Sequence, residues 1–450
     1  MNQTIHEVLE FVKENEIMFI RLGFCDLQGR QKCISIMPDE LLSAFERGVS
    51  FDAHAISGFR DVTKSDLLLF PDPATMMLQP WRPGAGRVLR FCCDICNPDG
   101  SAYAHDSRYI LKSVLRRCEQ MGYLCRIGAE CEFYLFKTDE NGEPTDEPMD
   151  KGSYLDVSPM DRGEDIRREI CLYLKEMGIM PEAAHHEQGP GQSEIDFRFN
   201  DALISADSLI TFKAIVKAIS ARNGLFASFM PKPIPGMAGN GMHINISLAQ
   251  NGQNLFRSFI GETIEDTGTP DVDATEVVES FIAGVLSKTP EMTLFLNPLA
   301  NSYERFGEFE APRFVSWSHQ NRSQLIRIPA ASGEKVRMEL RSPDPSLNPY
   351  LAFALIITAG LDAIEQSQKL PLAVDENLFV ADERVTRELV KLPGTLKEAI
   401  RCAEDSKLVR AVLGEELLQK YLAIKEEEWL GYCGAVDRAQ FNKERYFPIT

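Results

Sequence analysis

The chain has 450 residues, of which 44% are hydrophobic and 26% charged, and its formal net charge is −19. These proportions are typical of globular proteins, and the length predicts two or more domains. The acidic balance argues against a nucleic-acid-binding protein, because such surfaces need clustered Lys and Arg, but it does not exclude an anionic small substrate.

The first hundred residues predict a small domain of mixed helix and strand. Residues 4–17 favour a short amphipathic helix, and two strands follow around the turn at Gln28-Gly29. Further strand-like runs, LLLFPDPATMML and GRVLRFCCDIC, precede a boundary near residue 100. Charges interrupt any signal-peptide core in the first twenty residues, and no run approaches the ~20 apolar residues of a membrane span. We therefore expect a cytoplasmic protein without membrane contact.

The chain has eleven cysteines, an odd number scattered through a large acidic sequence. This usage favours reduced thiols over a disulfide framework. Cys93 and Cys96 form a CxxC pattern, which is also found in zinc sites. Because no second pair lies nearby, we interpret both as small apolar residues of a strand.

Residues 101–450 predict a second domain of the α+β class, in which strands alternate with clear helices. The runs RYILKSVLRRCEQMG and DIRREICLYLKEMG each end in the glycine expected after a helix. Helices are also predicted in DSLITFKAIVKAISARNG, EVVESFIAGVLSK and PYLAFALIITAGLDAIEQS, and residues 395–431 form a helical C-terminal region.

The run GAECEFYLF places Glu130 and Glu132 two residues apart in an apolar, aromatic stretch. Read as a strand, it directs both carboxylates to one face, roughly 6.5 Å apart. Two desolvated carboxylates so close need water or a cation to offset their repulsion. A solvated edge strand and a metal site are the two alternatives.

Further acidic residues and one histidine occur in strand-like runs. Glu187 and Glu194 flank a Gly-Pro-Gly turn, Glu339 alternates with apolar residues in EKVRMELRSPDP, and His243 follows a glycine-rich turn. Each alone is more simply explained as a solvated charge or a core histidine. Together with Glu130 and Glu132 they form an oxygen-rich ligand set that suits Mg²⁺ or Mn²⁺.

Four arginines lie close together in the stretch from residue 301 to residue 329. Guanidinium groups match carboxylate and phosphate oxygens bidentately, so the stretch favours an anionic substrate, and a surface salt-bridge network is the alternative. The four are Arg305, Arg313, Arg322 and Arg327.

The ordered blocks of this sequence resemble the glutamine synthetase family, type I, in its short prokaryotic and non-adenylylated form. The blocks run from FDAHAISGF through GAECEFYLF, HHEQGPGQSEIDF, MPKPIPG, GNGMHINISL and NRSQLIRIP to MELRSPDPSLNPYLAFA. The resemblance implies an N-terminal β-grasp domain over residues 1–100. It also implies a catalytic domain over residues 101–450, whose antiparallel sheet forms a half-funnel surrounded by helices. Twelve subunits in two stacked six-membered rings are expected, with active sites between neighbouring subunits.

The implied reaction joins ammonia to the γ-carboxylate of glutamate through γ-glutamyl phosphate, with ATP as co-substrate and two or more Mg²⁺ or Mn²⁺ ions per site. Motif by motif, Glu132, Glu187 and Glu194 match the ligands of one ion, and Glu130, His243 and Glu339 match those of the second. These ions would offset the charge repulsion between Glu130 and Glu132.

The resemblance also implies roles for residues outside the metal sets. Asp52, acting from the adjoining subunit, would draw in ammonium and deprotonate it. Glu310 would close over the intermediate as part of a flap. The residues implied for glutamate and phosphate are Gly239, Arg305, Arg341, Arg327 and Arg322. Those implied for the nucleotide are Phe199, Ser247, Arg322 and Arg337.

The sequence departs from the usual family pattern at four places. Ala53-His54-Ala55 replaces Gly-Ser-Ser after the aspartate, Ala238 replaces the asparagine before Gly239, and the flap segment is one residue shorter. Phe379 stands where the adenylylated branch has its modified tyrosine. Two alternatives to ammonia ligation therefore stay open. One is a γ-glutamyl ligase for a larger amine, such as a polyamine or ethanolamine, and the other is a catalytically silent scaffold or regulator.

Overall fold

The computed structural model describes residues 4–80, 86–262 and 273–450. Within these ranges the strands are β1 Ile17–Cys25, β2 Gln31–Ile36, β3 Val49–Asp52, β4 Asp66–Pro71, β5 Met77–Leu78, β6 Arg87–Cys96, β7 Leu124–Thr138, β8 Pro144–Pro148, β9 Pro181–His186, β10 Gln192–Phe197, β11 Asn200–Asp201, β12 Leu225–Ser228, β13 Met242–Gln250, β14 Gln253–Asn254, β15 Trp317–His319, β16 Ile326–Ile328 and β17 Met338–Leu340. The helices are α1 Ile5–Glu14, α2 Leu41–Arg47, α3 Ser107–Gln120, α4 Glu164–Glu176, α5 Ala202–Arg222, α6 Phe256–Phe259, α7 Ala274–Leu296, α8 Pro349–Glu365, α9 Glu383–Thr386, α10 Leu396–Glu404, α11 Lys407–Leu413, α12 Glu415–Gly434 and α13 Arg438–Tyr446.

The first sheet orders its strands β2-β1-β6-β4-β3, with β5 on β6. The β1–β6 pair is parallel, and the other pairs are antiparallel. Thr4 caps α1 in a capping box with Glu7, which satisfies orphan donors of the first turn. The turn between β1 and β2 has Gly29 at φ 79°, and a Cβ there would lie 2.8 Å from the Asn348 backbone. Glycine thus lets the first sheet contact the second domain closely.

The second sheet orders its strands β15-β16-β17-β13-β7-β10-β9, and β8, β11 and β12 also pair with β7. Its pairs are antiparallel except for β15–β16. The sheet curls around the long central strand β7 into a half-barrel. The α+β fold class predicted from the sequence, a β-grasp domain followed by a catalytic domain with a half-funnel, is confirmed.

Alternation along β7 separates core from cavity. Phe133 faces α5, where its ring contacts Phe212 at 6.1 Å between centroids, whereas Glu130 and Glu132 project from the other face. Helices α3 and α5 contact β7, and α8 contacts both of them. Helix α7 packs on α8 so closely that a Cβ on Gly284 would lie 2.2 Å from the Ala359 carbonyl. The carboxylates therefore stand on a rigid, buried support.

All eleven cysteines are free, as the sequence predicts. Cys93 is buried within β6, in keeping with a small apolar strand residue. No helix within residues 4–80, 86–262 and 273–450 is long and apolar enough to cross a membrane.

Candidate active site

A cavity of about 620 Å³ opens on the face of the second sheet that carries the β7 glutamates. Most of the residues predicted from the sequence line it: Glu130, Glu132, Glu187, Glu194, Gly239, His243, Arg305, Glu310, Arg322, Arg327, Arg337 and Arg341. Glu339 lies directly beneath, at 1% exposure, and bonds to two of the arginines. The structure therefore gathers residues from six separate stretches of chain.

Strand register explains why the acidic side chains meet. Glu132 on β7 stands opposite Glu194 on β10, and Glu130 stands opposite His243 on β13. The turn between β9 and β10 returns the chain so that the Glu187 amide donates to the Gln192 carbonyl at 2.9 Å. Directly paired residues share one face of a sheet, so the predicted ligands point into one cavity.

The first ligand set comprises Glu130, His243 and Glu339, each of which offers one ligand atom within 4.8 Å of the others. His243 Nδ1 lies 3.1 Å from a Glu130 oxygen and 3.6 Å from a Glu339 oxygen. Burial opposes charge on Glu130, but hydrogen bonds from His243 and Asn245 outweigh it and lower the pKa of Glu130 to about 2. A carboxylate held ionised beside a histidine and a second carboxylate suits a hard divalent cation.

The second predicted set, Glu132, Glu187 and Glu194, lines the same cavity. Of these three, Glu194 offers a ligand atom within 4.8 Å of His185 and Asp196. Burial, reinforced by the nearby Glu187 carboxylate, raises the pKa of Glu132 to about 8. The pKa of Glu194 is raised by burial and by Glu132. Glu132 accepts hydrogen bonds from Gln192 Nε2 and the Gly241 amide, both at 2.9 Å, so its orientation is fixed. A divalent cation would offset the mutual repulsion that raises these pKa values.

Two further residues belong to this acidic face, although the sequence patterns did not single them out. His185 on β9 lies 3.7 Å from Glu194 and 3.5 Å from Glu187. Asp196 on β10 stands opposite Glu130 and carries one buried oxygen without a hydrogen-bond partner. Burial raises the pKa of Asp196 to about 7. The alternation in QSEIDF places Asp196 on the same face as Glu194, and that signal would have found it.

Arg305 and Arg341 are buried, Arg327 and Arg337 are partly buried, and Arg313 and Arg322 are exposed, with Arg313 outside the cavity lining. The buried pair argues against a purely solvated surface network. Arg341 is 1% exposed and Arg305 is 3% exposed. Arg341 and Arg327 both hydrogen bond to Glu339. Arg305 donates to the Ser342 and Pro343 carbonyls at 3.0 and 3.4 Å. A guanidinium group that is already buried loses little further hydration when it binds an anionic ligand from the cavity.

Gly239 and Arg305 fit together sterically. A Cβ at Gly239 would lie 2.6 Å from the Pro231 carbonyl oxygen and 2.7 Å from Cγ of Arg305. Glycine at this position therefore lets the Arg305 side chain pass against the backbone. Ala238, the neighbouring departure from the family pattern, is 6% exposed, and its carbonyl accepts a 2.7 Å hydrogen bond from Tyr134.

The predicted flap lies at the cavity mouth in a strained conformation. Phe309 and Glu310 have φ values of 45° and 65°, a region that residues other than glycine rarely adopt. Lys232 contacts this segment twice: its Nζ lies 3.2 Å from Glu308 and 4.7 Å from the centre of the Phe309 ring. Glu310 reaches Arg341 at 3.6 Å and Arg322 at 3.9 Å. Lys232 and the two arginines hold the flap over the acidic face.

Asp52, Phe199 and Ser247 also lie outside the lining of this cavity. Asp52 is exposed at the end of β3 and accepts a hydrogen bond from the His54 amide at 3.0 Å. Phe199 lies beneath the Arg126 guanidinium, 5.7 Å from ring centre to carbon, and Ser247 stands opposite Arg126 in the sheet. Phe199 and Ser247 therefore flank one side of the sheet near Glu130, whereas Asp52 belongs to the first domain.

Comparison with known proteins gives two family matches along the chain. Residues 16–98 match the glutamine synthetase β-grasp domain, and residues 104–444 match the glutamine synthetase catalytic domain. The chain is 45% identical to a glutamine synthetase of Methanosarcina mazei, over 96% of both chains. It is 42% identical to a glutamine synthetase of Clostridium saccharobutylicum, over 95% of this chain and 96% of that one.

Among solved structures, a GmaS/ADP complex superimposes with a TM-score of 0.85 at 29% identity, covering 99% of each chain. GmaS is a γ-glutamylmethylamide synthetase. A second structure, of GmaS without ligand, gives a TM-score of 0.84 at 29% identity, covering 98% of this chain and 99% of that one. These matches, together with the gathered carboxylates and arginines, show that the chain belongs to the glutamine synthetase family.

Proposed function

We propose that the protein ligates ammonia to the γ-carboxylate of glutamate, with ATP as co-substrate and γ-glutamyl phosphate as intermediate. The observation that carries this proposal is the pair of acidic sets that adjoin at Glu130 and Glu132 of β7, beside buried Arg305 and Arg341. The glutamine synthetases of Methanosarcina mazei and Clostridium saccharobutylicum, similar over nearly the whole chain, support the same reaction. The cytoplasmic location expected from the sequence stays a prediction.

Mg²⁺ or Mn²⁺ in the two sets would offset negative charge on the transferring phosphoryl group. We assign the Glu132 set to one ion and the Glu130 set to the second. Arg341 and Arg305, both rigidly buried, would bind the glutamate carboxylate, and half-exposed Arg322 would reach phosphate oxygens with Arg327. Glu310, at the cavity mouth, would exclude water and accept a proton from the amine. Phe199, Ser247 and Arg337 would contact the nucleotide.

The decisive experiment measures phosphate release from ATP in the presence of glutamate and Mg²⁺, with a panel of amines. We expect ammonium to support the highest kcat/KM and mass spectrometry to identify glutamine as the product. Methylamine, ethanolamine and a polyamine form the comparison arms. A higher kcat/KM with any of these would replace ammonia ligation by the amine-ligase function, and no turnover with any amine would favour a silent family member.

A γ-glutamyl ligase for a larger amine is the second candidate, and two observations favour it. The GmaS structures resemble this chain over nearly its whole length. His54 and Ala55, which replace small hydroxyl residues, are exposed beside Asp52, whereas Ala53 is fully buried in its own domain. Only the two exposed residues can alter an acceptor pocket. Asp52 retains the charge that a compact cation needs, so we place ammonium first.

The exposed position of Asp52 supports the oligomer expected from the resemblance. Asp52 lies on the first domain and outside the cavity of its own chain. We propose that a neighbouring subunit supplies it, in a dodecamer of two stacked six-membered rings built from domains at residues 1–100 and 101–450. Light scattering should therefore give a mass near twelve times 50.6 kDa. A monomer with full activity would contradict a shared site.

Lys232→Met is expected to uncouple ATP hydrolysis from amide formation. The substitution keeps side-chain bulk but removes the charge that contacts Glu308 and Phe309, so the strained flap would open more often and admit water. We expect amide formation to fall about tenfold, since charged contacts of this kind contribute ~1.5 kcal/mol. The ratio of phosphate released to amide formed should rise above one. Lys232→Arg should keep the wild-type ratio, and an unchanged ratio in Lys232→Met would show that Lys232 does not hold the flap.

No adenylylation is expected in the segment around Phe379. This residue replaces the tyrosine that is modified in another branch of the family, and a phenyl ring offers no hydroxyl for attachment of AMP. Intact-mass spectrometry of protein from its native host should show no added AMP. An AMP adduct mapped to residues 375–383 would contradict this expectation.

A further inference from the structure

A second cavity lies where the turn between β1 and β2, helices α5 and α12, and the C-terminal residues meet. It encloses about 390 Å³ and, among the described residues, shares no lining residue with the acidic cavity. Its walls carry five basic side chains, although the chain as a whole has a formal net charge of −19. The five are Arg30, Lys32, Lys213, Lys217 and Lys425.

Two of the five basic groups have carboxylate partners. Lys425 pairs with Glu428 at 3.0 Å, and Lys32 pairs with Asp26 at 3.6 Å. Lys213 and Lys217 form no ion pair with any described residue. Their ammonium groups instead lie 3.3 Å from the backbone carbonyls of Leu347 and Ile449.

Arg30 also forms no ion pair within residues 4–80, 86–262 and 273–450. Thr450 also lines the cavity. Three positive groups thus face one cavity without an ion-pair partner among the residues that the structure describes. Burial, followed by repulsion from Lys213 and Arg30, lowers the pKa of Lys217 to about 8. A negatively charged ligand would remove this repulsion.

We propose that this cavity binds a compact dianion through Lys213, Lys217 and Arg30. Its volume falls within the ~300–1,000 Å³ of small-molecule sites. The guanidinium fork of Arg30 matches carboxylate or phosphate oxygens, and the two lysines supply point charges. Phe229 and Leu299 form an apolar part of the wall that suits a short carbon skeleton. A dicarboxylate or a phosphate-bearing metabolite fits this chemistry.

The test uses trace acetylation of the full-length protein by acetic anhydride, with peptide mass spectrometry of each lysine. Sodium sulfate represents phosphate-like anions and disodium succinate represents dicarboxylates, with sodium chloride at equal ionic strength as reference. We expect sulfate or succinate to reduce the acetylation rate of Lys217 about tenfold, since a pKa rise of ~1 unit removes that share of free amine. Lys369, whose side chain is 75% exposed, is the internal control and should keep its rate.

Whichever of the two anions protects at the lower concentration identifies the ligand class. Lys213→Met should abolish the protection of Lys217, and Lys213→Arg should preserve it. Arg30→Gln, at a partly buried turn position, tests the same prediction if Lys213→Met does not fold. Activity is not the readout, so the outcome is independent of the proposed ligase function.

Three results would overturn the proposal. Equal protection by chloride would reduce the effect to general screening. Protection that persists in both Lys213→Met and Arg30→Gln would place the anion elsewhere. Protection that depends on protein concentration rather than on added anion would show that a second copy of the chain covers the cavity.

Discussion

Glu132→Gln is expected to lower kcat on the order of 10³-fold, because it removes a ligand from one of the two proposed metal sets. Charge stabilisation by a bound divalent ion contributes several kcal/mol, and each 1.36 kcal/mol corresponds to tenfold in rate. The folded structure should persist, since the variant relieves repulsion among buried carboxylates rather than breaking an ion pair. Glu182→Gln, which alters an exposed pair with Lys335, is the matched control and should retain activity.

Glu339→Gln should abolish activity, because it removes a proposed metal ligand and also destabilises the fold. Glu339 is 1% exposed and bonds to Arg327 and Arg341, so its loss leaves two largely buried guanidinium groups without their partner. Breaking such a contact costs ~3–5 kcal/mol. Thermal denaturation should therefore show a clear loss of stability in Glu339→Gln and little or none in Glu132→Gln.

Full wild-type activity after thorough chelation would contradict the metal sites.

The raised pKa of Glu132 predicts how the stability of metal-free protein varies with pH. A carboxyl with a pKa of about 8 in the folded state binds more protons than in the unfolded state, where its pKa is 4.5. The free energy of unfolding should thus fall as pH rises from about 4.5 to about 8. Saturating Mg²⁺ should displace these protons and reverse the pH dependence of the free energy of unfolding. Glu132→Gln should weaken this pH dependence, as measured by denaturant titrations at several pH values.

Asp52→Ala is expected to lower kcat/KM for ammonium by about 10²-fold or more, with little change in the KM for ATP. The substitution removes a negative charge and a general base, and general-base catalysis contributes roughly 10²–10⁴-fold. The nucleotide would be held by residues of the second sheet, far from β3 in the sequence. An equal rise in both KM values would indicate structural damage instead of a lost acceptor contact.

Asp61→Ala is the control for that substitution. Asp52 and Asp61 each cap a short 3-10 turn, accepting from the amides of His54 and Thr63 at 3.0 and 2.9 Å. Removal of either cap should cost a similar ~1 kcal/mol of stability. Only Asp52→Ala should alter the ammonium dependence. Wild-type ammonium kinetics in Asp52→Ala would remove Asp52 from the acceptor site.

The sequence by itself determined the fold class, the family and the set of residues worth testing. Alternation in GAECEFYLF placed Glu130 and Glu132 on one strand face, because side-chain direction in a strand has a period of two. Glycines at helix ends and apolar residues at helical spacing located the main helices, because both signals depend only on residues close together in the sequence.

Only the tertiary structure decided which distant residues meet. Strand register brought Asp196 beside Glu130. The fold also brought Lys232 into contact with Glu308, which lies 76 residues further along the chain. The basic cavity joins a turn near residue 30, helix α5 and the C-terminus, which no sequence pattern connects. Burial raises the pKa of both Glu130 and Glu132, but the hydrogen bonds from His243 and Asn245 reverse the shift at Glu130. These opposite outcomes two residues apart depend on neighbours in space rather than in sequence.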